Sequence, residues 1–255
     1  MKKIRTSVLL ILNLIQQDVF RKIIYTVFLL FKRPQWSLVF LLGRFQLIRV
    51  LYSNLLDNFS KLEKSSRFDS SLPFSHVDIK SIVKTLQADG IFVGFSLPQN
   101  ILEDILNYTY HYYCFAGGRA NLGFKILEKE RFQAEFGQSF YTARYFNISL
   151  DCPAILELAH DPVLQEIATQ YIGSAAKYTG ASLFWTFPTE GSIYDPDQQK
   201  FTKFHYDLDD FASLRFCFYL TKVTLDDGPH ICIRGSHKRK SLFHVLNYMS
   251  RIQSE

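Results

Sequence analysis

His205 and Asp207 stand two residues apart inside an aromatic run, FTKFHYDL at 201–208. In a β-strand, residues i and i+2 point to the same face. An imidazole and a carboxylate placed this way would emerge side by side, about 6–7 Å apart at the backbone. They make two thirds of the 2-His-1-carboxylate set that holds non-haem Fe(II). Asp209 shares the face of Asp207 and Asp210 adjoins it, so both are alternative carboxylates. Taken alone, a His-x-Asp pair is more often the polar face of a surface strand.

The elements around the pair are those needed to position it. Leu214, Phe216, Phe218 and Leu220 alternate with Arg215, Cys217 and Tyr219, the two-residue period of a strand with one buried face. Asp226-Asp227-Gly228-Pro229 spells a turn in which Gly228 is free to take positive φ. His230–Arg234 is a second short strand, closed by Gly235-Ser236-His237. Strand, turn and strand directly after a ligand pair suit a double-stranded β-helix, the jelly-roll or cupin-like architecture. Upstream, helices are expected over 79–88, 97–108 (with Pro98 in the first turn), 154–160 and on to Tyr171. A strand is expected at 90–95, a break at Gly117-Gly118, mixed structure over 125–138, and a strand pair at 177–187 leading through a polar loop to the ligand strand. The expected class is α+β: a jelly-roll core, incomplete at its C-terminal end, with an N-terminal helical layer and helical hairpin.

The segments FHYDLDD, YLTKV and DDGPHICIRGSHK resemble the phytanoyl-CoA dioxygenase family, and LQADGIFV at 86–93 is similar to that family's N-terminal strand. The resemblance spans residues 76–255 and is specific over 201–240. It implies an Fe(II)- and 2-oxoglutarate-dependent hydroxylase acting with O2 on a small organic or lipid-like substrate, with His205 and Asp207 as iron ligands and catalytic residues. It also implies a third histidine ligand, and an arginine for the 2-oxoglutarate carboxylate, on strands well beyond the GSH turn. The sequence ends at Glu255, so the expectation is a fragment or truncated chain that is a poor oxygenase by itself. His244 sits in a helix-like tail and is a weak candidate for the third ligand; His230 and His237 are weaker. Lys177, Tyr178, Ser182 and Trp185 are candidates for the 2-oxoglutarate pocket, against ordinary strand packing. Lys238-Arg239-Lys240 would either meet an anionic substrate group or form a solvated basic turn. Asp207, where related halogenases carry a small residue, favours hydroxylation.

The chain has 255 residues, 47% hydrophobic and 16% aromatic, enough for one sizeable core plus an appendage. Its +5 charge is uneven. Residues 1–56 carry nine Lys or Arg and one acid, Asp18, leaving the remainder net acidic. No basic stripe marks a nucleic-acid module. Apolar positions at helical spacing from Leu12 to Leu30, a helix end at Lys32–Pro34, and a further apolar helix over 36–56 make residues 1–59 a basic helical segment. It is either a hairpin packed on the domain or a partner, or an interfacial segment making peripheral membrane contact through residues 1–56; a signal or anchor is the remaining reading. Residues 60–75, rich in Ser, are the linker. The four cysteines have no metal-finger spacing and read as free, mostly buried thiols of a cytoplasmic, reducing compartment. His76, His111 and His160 read as structural or exposed, and Arg144 as a candidate lining of a substrate cleft. The alternative function is a non-catalytic remnant or a membrane-peripheral interaction protein working through its N-terminal helices.

Overall fold

The computed structural model describes residues 32, 34–59, 73–187, 204, 207 and 209–238. The expected helix over 12–30, the linker before 73, the loop before the ligand strand and the tail after Lys238 lie outside them. The described residues are α+β, with eight α-helices and one four-stranded antiparallel sheet. They divide into two compact units. One contains 34–59, 209–213 and 236–238; the other contains 73–187 and 214–235.

The larger unit begins with α-helix Ile79–Asp89 (here α3). Asp78 caps it by accepting from the Ser81 N–H at 3.2 Å, and Gly90 at φ 76° ends it. Gln99–His111 (α4) follows, with Pro98 at its N-cap. Residues 91–98, expected to include a strand, have no regular structure. The sheet comes next: β1 (Tyr113–Ala116), β2 (Gly123–Lys125), β3 (Thr142–Arg144) and β4 (Phe184–Thr186), in the order β2-β1-β3-β4. Gly117 and Gly118, both at positive φ, form the bend after β1. A Cβ on Gly123 would sit 2.9 Å from the Phe115 ring, which would have to shift to make room. Of the strand pair expected at 177–187, only β4 forms.

Between the strands run α5 (Lys129–Phe136), α6 (Ile148–Asp151), α7 (Pro153–Ala159) and α8 (Pro162–Ile172). Asp161 fixes the start of α8: one carboxylate oxygen accepts from the N–H groups of Val163 and Leu164, each at 2.9 Å. Pro162 occupies the first turn. Helices and strands therefore interleave, where the sequence suggested helices first and strands after.

Two apolar clusters hold this unit. Ile101, Ile105 and Tyr108 of α4 meet Cys114, Ala116, Phe124, Ala143 and Tyr145 of the sheet region. Phe74, Ile82, Val83 and Leu86 meet Val163, Leu164 and Ile167, so α3 and α8 bury their apolar stripes against each other.

The smaller unit contains α1 (Pro34–Leu42) and α2 (Gln46–Phe59). Lys32 and Pro34 are both helical, where a helix end was expected, and the helix expected across 36–56 is broken at Gly43. A Cβ on Gly43 would lie 2.6 Å from the Val39 carbonyl oxygen. Phe211 is buried in this unit and packs on Tyr52 of α2, with ring centroids 4.6 Å apart.

Candidate functional site

Asp207 is an exposed residue outside any strand, and 209–212 form a series of bends. The side-by-side strand geometry expected of the ligand pair is thus not seen around Asp207. His205 lies outside the described residues, as do Arg239, Lys240 and His244. Asp209 is exposed, and Asp210 turns back to accept from the Phe211 N–H at 2.7 Å. Among the described residues no group of three or more His, Cys, Asp or Glu is placed to hold a metal.

The block that follows has the expected faces without the expected ladder. Leu214, Phe216, Phe218 and Leu220 are half-buried; Arg215, Cys217 and Tyr219 are exposed. Leu214, Phe216 and Phe218 rest on the α3–α8 cluster and Leu220 on the other. Phe218 stacks on Phe74 at 6.3 Å, and Phe216 meets Phe95 edge-on at 6.2 Å. Neither 214–220 nor His230–Arg234 is part of a sheet. They are tied by side chains instead: the His230 N–H donates to the Tyr219 hydroxyl at 2.7 Å.

The turn between them forms as the sequence indicates. Thr224 and Asp227 cap each other, and Gly228 is left-handed at φ 69°. The Asp227 carboxyl is held below its ordinary pKa by the Thr224 hydroxyl and N–H, which bond its charged form. Beyond it, Arg234 pairs with Asp89 and the Gly235 N–H donates to the Asp89 carbonyl at 2.6 Å. The GSH turn is therefore fastened to the end of α3.

The four residues expected at the cosubstrate pocket separate. Lys177, Tyr178 and Ser182 are exposed on irregular backbone, while Trp185 is half-buried on β4. Tyr178 and Ser149 share a hydroxyl hydrogen bond at 2.8 Å. The Trp185 indole N–H donates to the Tyr145 hydroxyl at 3.2 Å, which in turn donates to the Thr109 carbonyl at 2.7 Å. This relay commits the polar edge of Trp185 to the core. Burial pushes the Tyr145 phenol upward, so it stays a donor. Arg144, expected near a substrate cleft, lies over the Phe184 ring of its partner strand, 5.6 Å from the centroid.

His111 and His160 each hydrogen-bond the carbonyl four residues earlier through Nδ1, at 2.7 and 2.8 Å, and His76 is exposed. His237 is half-buried, its carbonyl accepting from Arg49. Cys114 and Cys152 are buried, but Cys217 and Cys232 are exposed, so only half of the thiols fit the expected burial. Burial pushes the Cys114 thiol up to about 11.

Sequence reasoning missed an open cleft of about 380 Å³ on the larger unit. It runs between α4 and the α6–α7 junction, lined among others by Asp104, Tyr108, His111, Tyr112, Asp151 and Cys152. Tyr108 and Tyr112 stack with centroids 4.3 Å apart. The Tyr108 phenol is pushed up to about 12, by burial first and then by the Asp151 carboxylate. The cleft presents carboxylates, neutral phenol and neutral thiol. The available signal was Asp104, Tyr108, His111 and Tyr112 at one-turn spacing on a single helix face.

Among the described residues no helix is long and apolar enough to cross a membrane. No family model, curated protein or solved structure matches this chain.

Proposed function

We propose that the chain is, or is part of, an Fe(II)- and 2-oxoglutarate-dependent dioxygenase of the phytanoyl-CoA dioxygenase type, with residues 201–240 belonging to a jelly-roll core. His205 and Asp207 are the proposed metal ligands. Their donor set, one neutral imidazole and one carboxylate, is the chemistry Fe(II) accepts in oxygenases, and the exposed Asp207 is accessible to an ion. When bound, iron would supply O2 activation coupled to oxidation of 2-oxoglutarate to succinate and CO2, hydroxylating a small organic or lipid-like substrate. The chain's own part is to hold the metal and fix the imidazole tautomer.

The observation that carries this reading is the strict alternation of half-buried and exposed residues over 214–220, directly after the ligand pair and before the capped Gly228 turn. Lys177, Tyr178 and Ser182 stay in the proposal as accessible polar groups for the cosubstrate. Trp185 enters it only as a support, because its N–H is already engaged.

The test is anaerobic Fe(II) binding by the 255-residue chain, with retained iron measured by mass spectrometry after desalting. Wild type should retain iron, while His205→Ala and Asp207→Ala should lose it and Asp209→Ala should keep it. Equal retention by wild type and His205→Ala would refute the assignment.

A further inference from the structure

The cleft between α4 and the α6–α7 junction joins groups that the proposed iron site does not use. Its volume, about 380 Å³, is that of a small-molecule site. Asp104, Tyr108 and Tyr112 line it from α4 and its C-cap, and Asp151 and Cys152 from the opposite wall. Asp104 and Asp151 are exposed, and among the described residues neither pairs with a Lys or Arg. No Lys or Arg lines the cleft. Tyr108 is only 8% exposed, yet its hydroxyl has no hydrogen-bond partner among the described residues. A buried polar atom without a partner is costly, and here it borders an opening in which one can sit. Both carboxylates act on the buried groups of the cleft. Burial and then Asp151 push the Tyr108 phenol up, and burial and, more weakly, Asp104 do the same to the Cys152 thiol.

These groups select a ligand by charge. Two carboxylates with no cation beside them give the cleft a negative potential. The neutral Tyr108 hydroxyl adds an oxygen acceptor. The Tyr112 ring, 50% exposed and stacked on Tyr108, adds an electron-rich face that attracts cations. A metal ion is not the match, because the titratable side chains of the cleft do not converge as a set of three donors. An alkylammonium is. Its three N–H donors correspond to two carboxylates and one phenol oxygen, and its carbon body can lie against Tyr112 and Pro153. We propose that this cleft binds a small organic primary ammonium, its charged group shared by Asp104, Asp151 and the Tyr108 hydroxyl. The assignment is independent of the iron site.

The test is isothermal titration calorimetry of the full 255-residue chain with three probes of similar shape: 2-phenylethylamine, 2-phenylethanol and phenylacetate. The amine should bind in the millimolar range or tighter, less well at high salt, and the alcohol and the carboxylate should not bind. Asp104→Asn and Asp151→Asn should each weaken amine binding about fivefold, and Tyr108→Phe about threefold. Glu103→Gln, on α4 but outside the cleft, should leave it unchanged, and so should His205→Ala. The exchanged carboxylates are exposed, so these variants should melt with wild type. Absence of amine binding at millimolar concentration would overturn the proposal, as would equal binding of the alcohol. Unchanged amine binding by the Asp104→Asn/Asp151→Asn double variant, or an equal loss in Glu103→Gln, would do the same. A parallel loss in His205→Ala would move the amine to the iron centre and away from this cleft.

Discussion

Two regions of the larger unit, the sheet at 113–186 and the block at 214–235, invert what their sequences suggest. The sheet strands are three or four residues long and carry little alternation, yet they pair in a defined antiparallel register from Tyr113↔Lys125 to Thr142↔Thr186. The block at 214–220 alternates over seven residues, yet it joins no ladder. Alternation records that one face of an extended segment is buried. A ladder additionally needs an edge at hydrogen-bonding distance, and that edge comes from elsewhere in the chain. In the sheet, a positive-φ glycine bend and a glycine beneath Phe115 let β1 and β2 approach. In the block, burial against α3 and α8 and a few side-chain ties take the place of a partner strand.

The sheet side should be the more sensitive to cavities. Ile105 is almost fully buried between α4 and the sheet, and Ile105→Ala should cost about 3 kcal/mol in urea denaturation. A loss below about 1 kcal/mol would mean that the α4–sheet core is looser than its burial implies.

The block can be tested by face. Phe216→Ala should destabilise by about 2 kcal/mol, less than a fully buried Phe because the ring is half exposed, while Cys217→Ala should stay within about 0.5 kcal/mol. Equal effects at 216 and 217 would erase the two-faced reading of the segment.

Caps sharpen the comparison further. Asp161→Ala removes the acceptor for two N–H groups at the start of α8 and should cost about 1 kcal/mol. Because Ile167 and Leu164 of α8 support the face on which Phe216 rests, combining Asp161→Ala with Phe216→Ala should depart from additivity.

Alkaline titration reads the buried phenols and thiol of the α4–sheet core. The Tyr108 phenol titrates near 10 when unfolded and near 12 when folded. Between these values the unfolded state binds fewer protons, so the Tyr108 contribution to stability should be constant below pH 10 and fall as pH rises toward 12. Tyr108→Phe should flatten its share of that fall, leaving the contributions of Tyr145 and Cys114.

The smallest effect belongs to the fastening of the GSH turn. Arg234 pairs with Asp89 at the surface, so Arg234→Ala should cost about 0.2–1 kcal/mol, and less at high salt.

Where the sequence was informative, it was so through local signals. Asp161-Pro162 opens α8 and Gly228 marks its turn, because caps and positive-φ positions depend on a few adjacent residues. The break between α1 and α2 was missed because an apolar run reads as helix throughout, whereas Gly43 and Arg44 form a turn between them. The separation of Trp185 from Lys177, Tyr178 and Ser182 was illegible for a similar reason. The Trp185–Tyr145–Thr109 relay joins residues up to 76 positions apart, and nothing in the 177–187 run announces it.

The sequence by itself determined the extents of α3 and α8 to within a residue or two, the Gly228 turn, the buried face of 214–220 and the charge asymmetry of the first 56 residues, since each follows from neighbouring residues or simple counting. Only the tertiary structure decided which short segments became strands, that the 214–235 block stands without a ladder, and that the α4 cleft exists. Those outcomes depend on which surfaces meet after the chain closes on itself, and burial against distant partners is the quantity a local pattern does not contain.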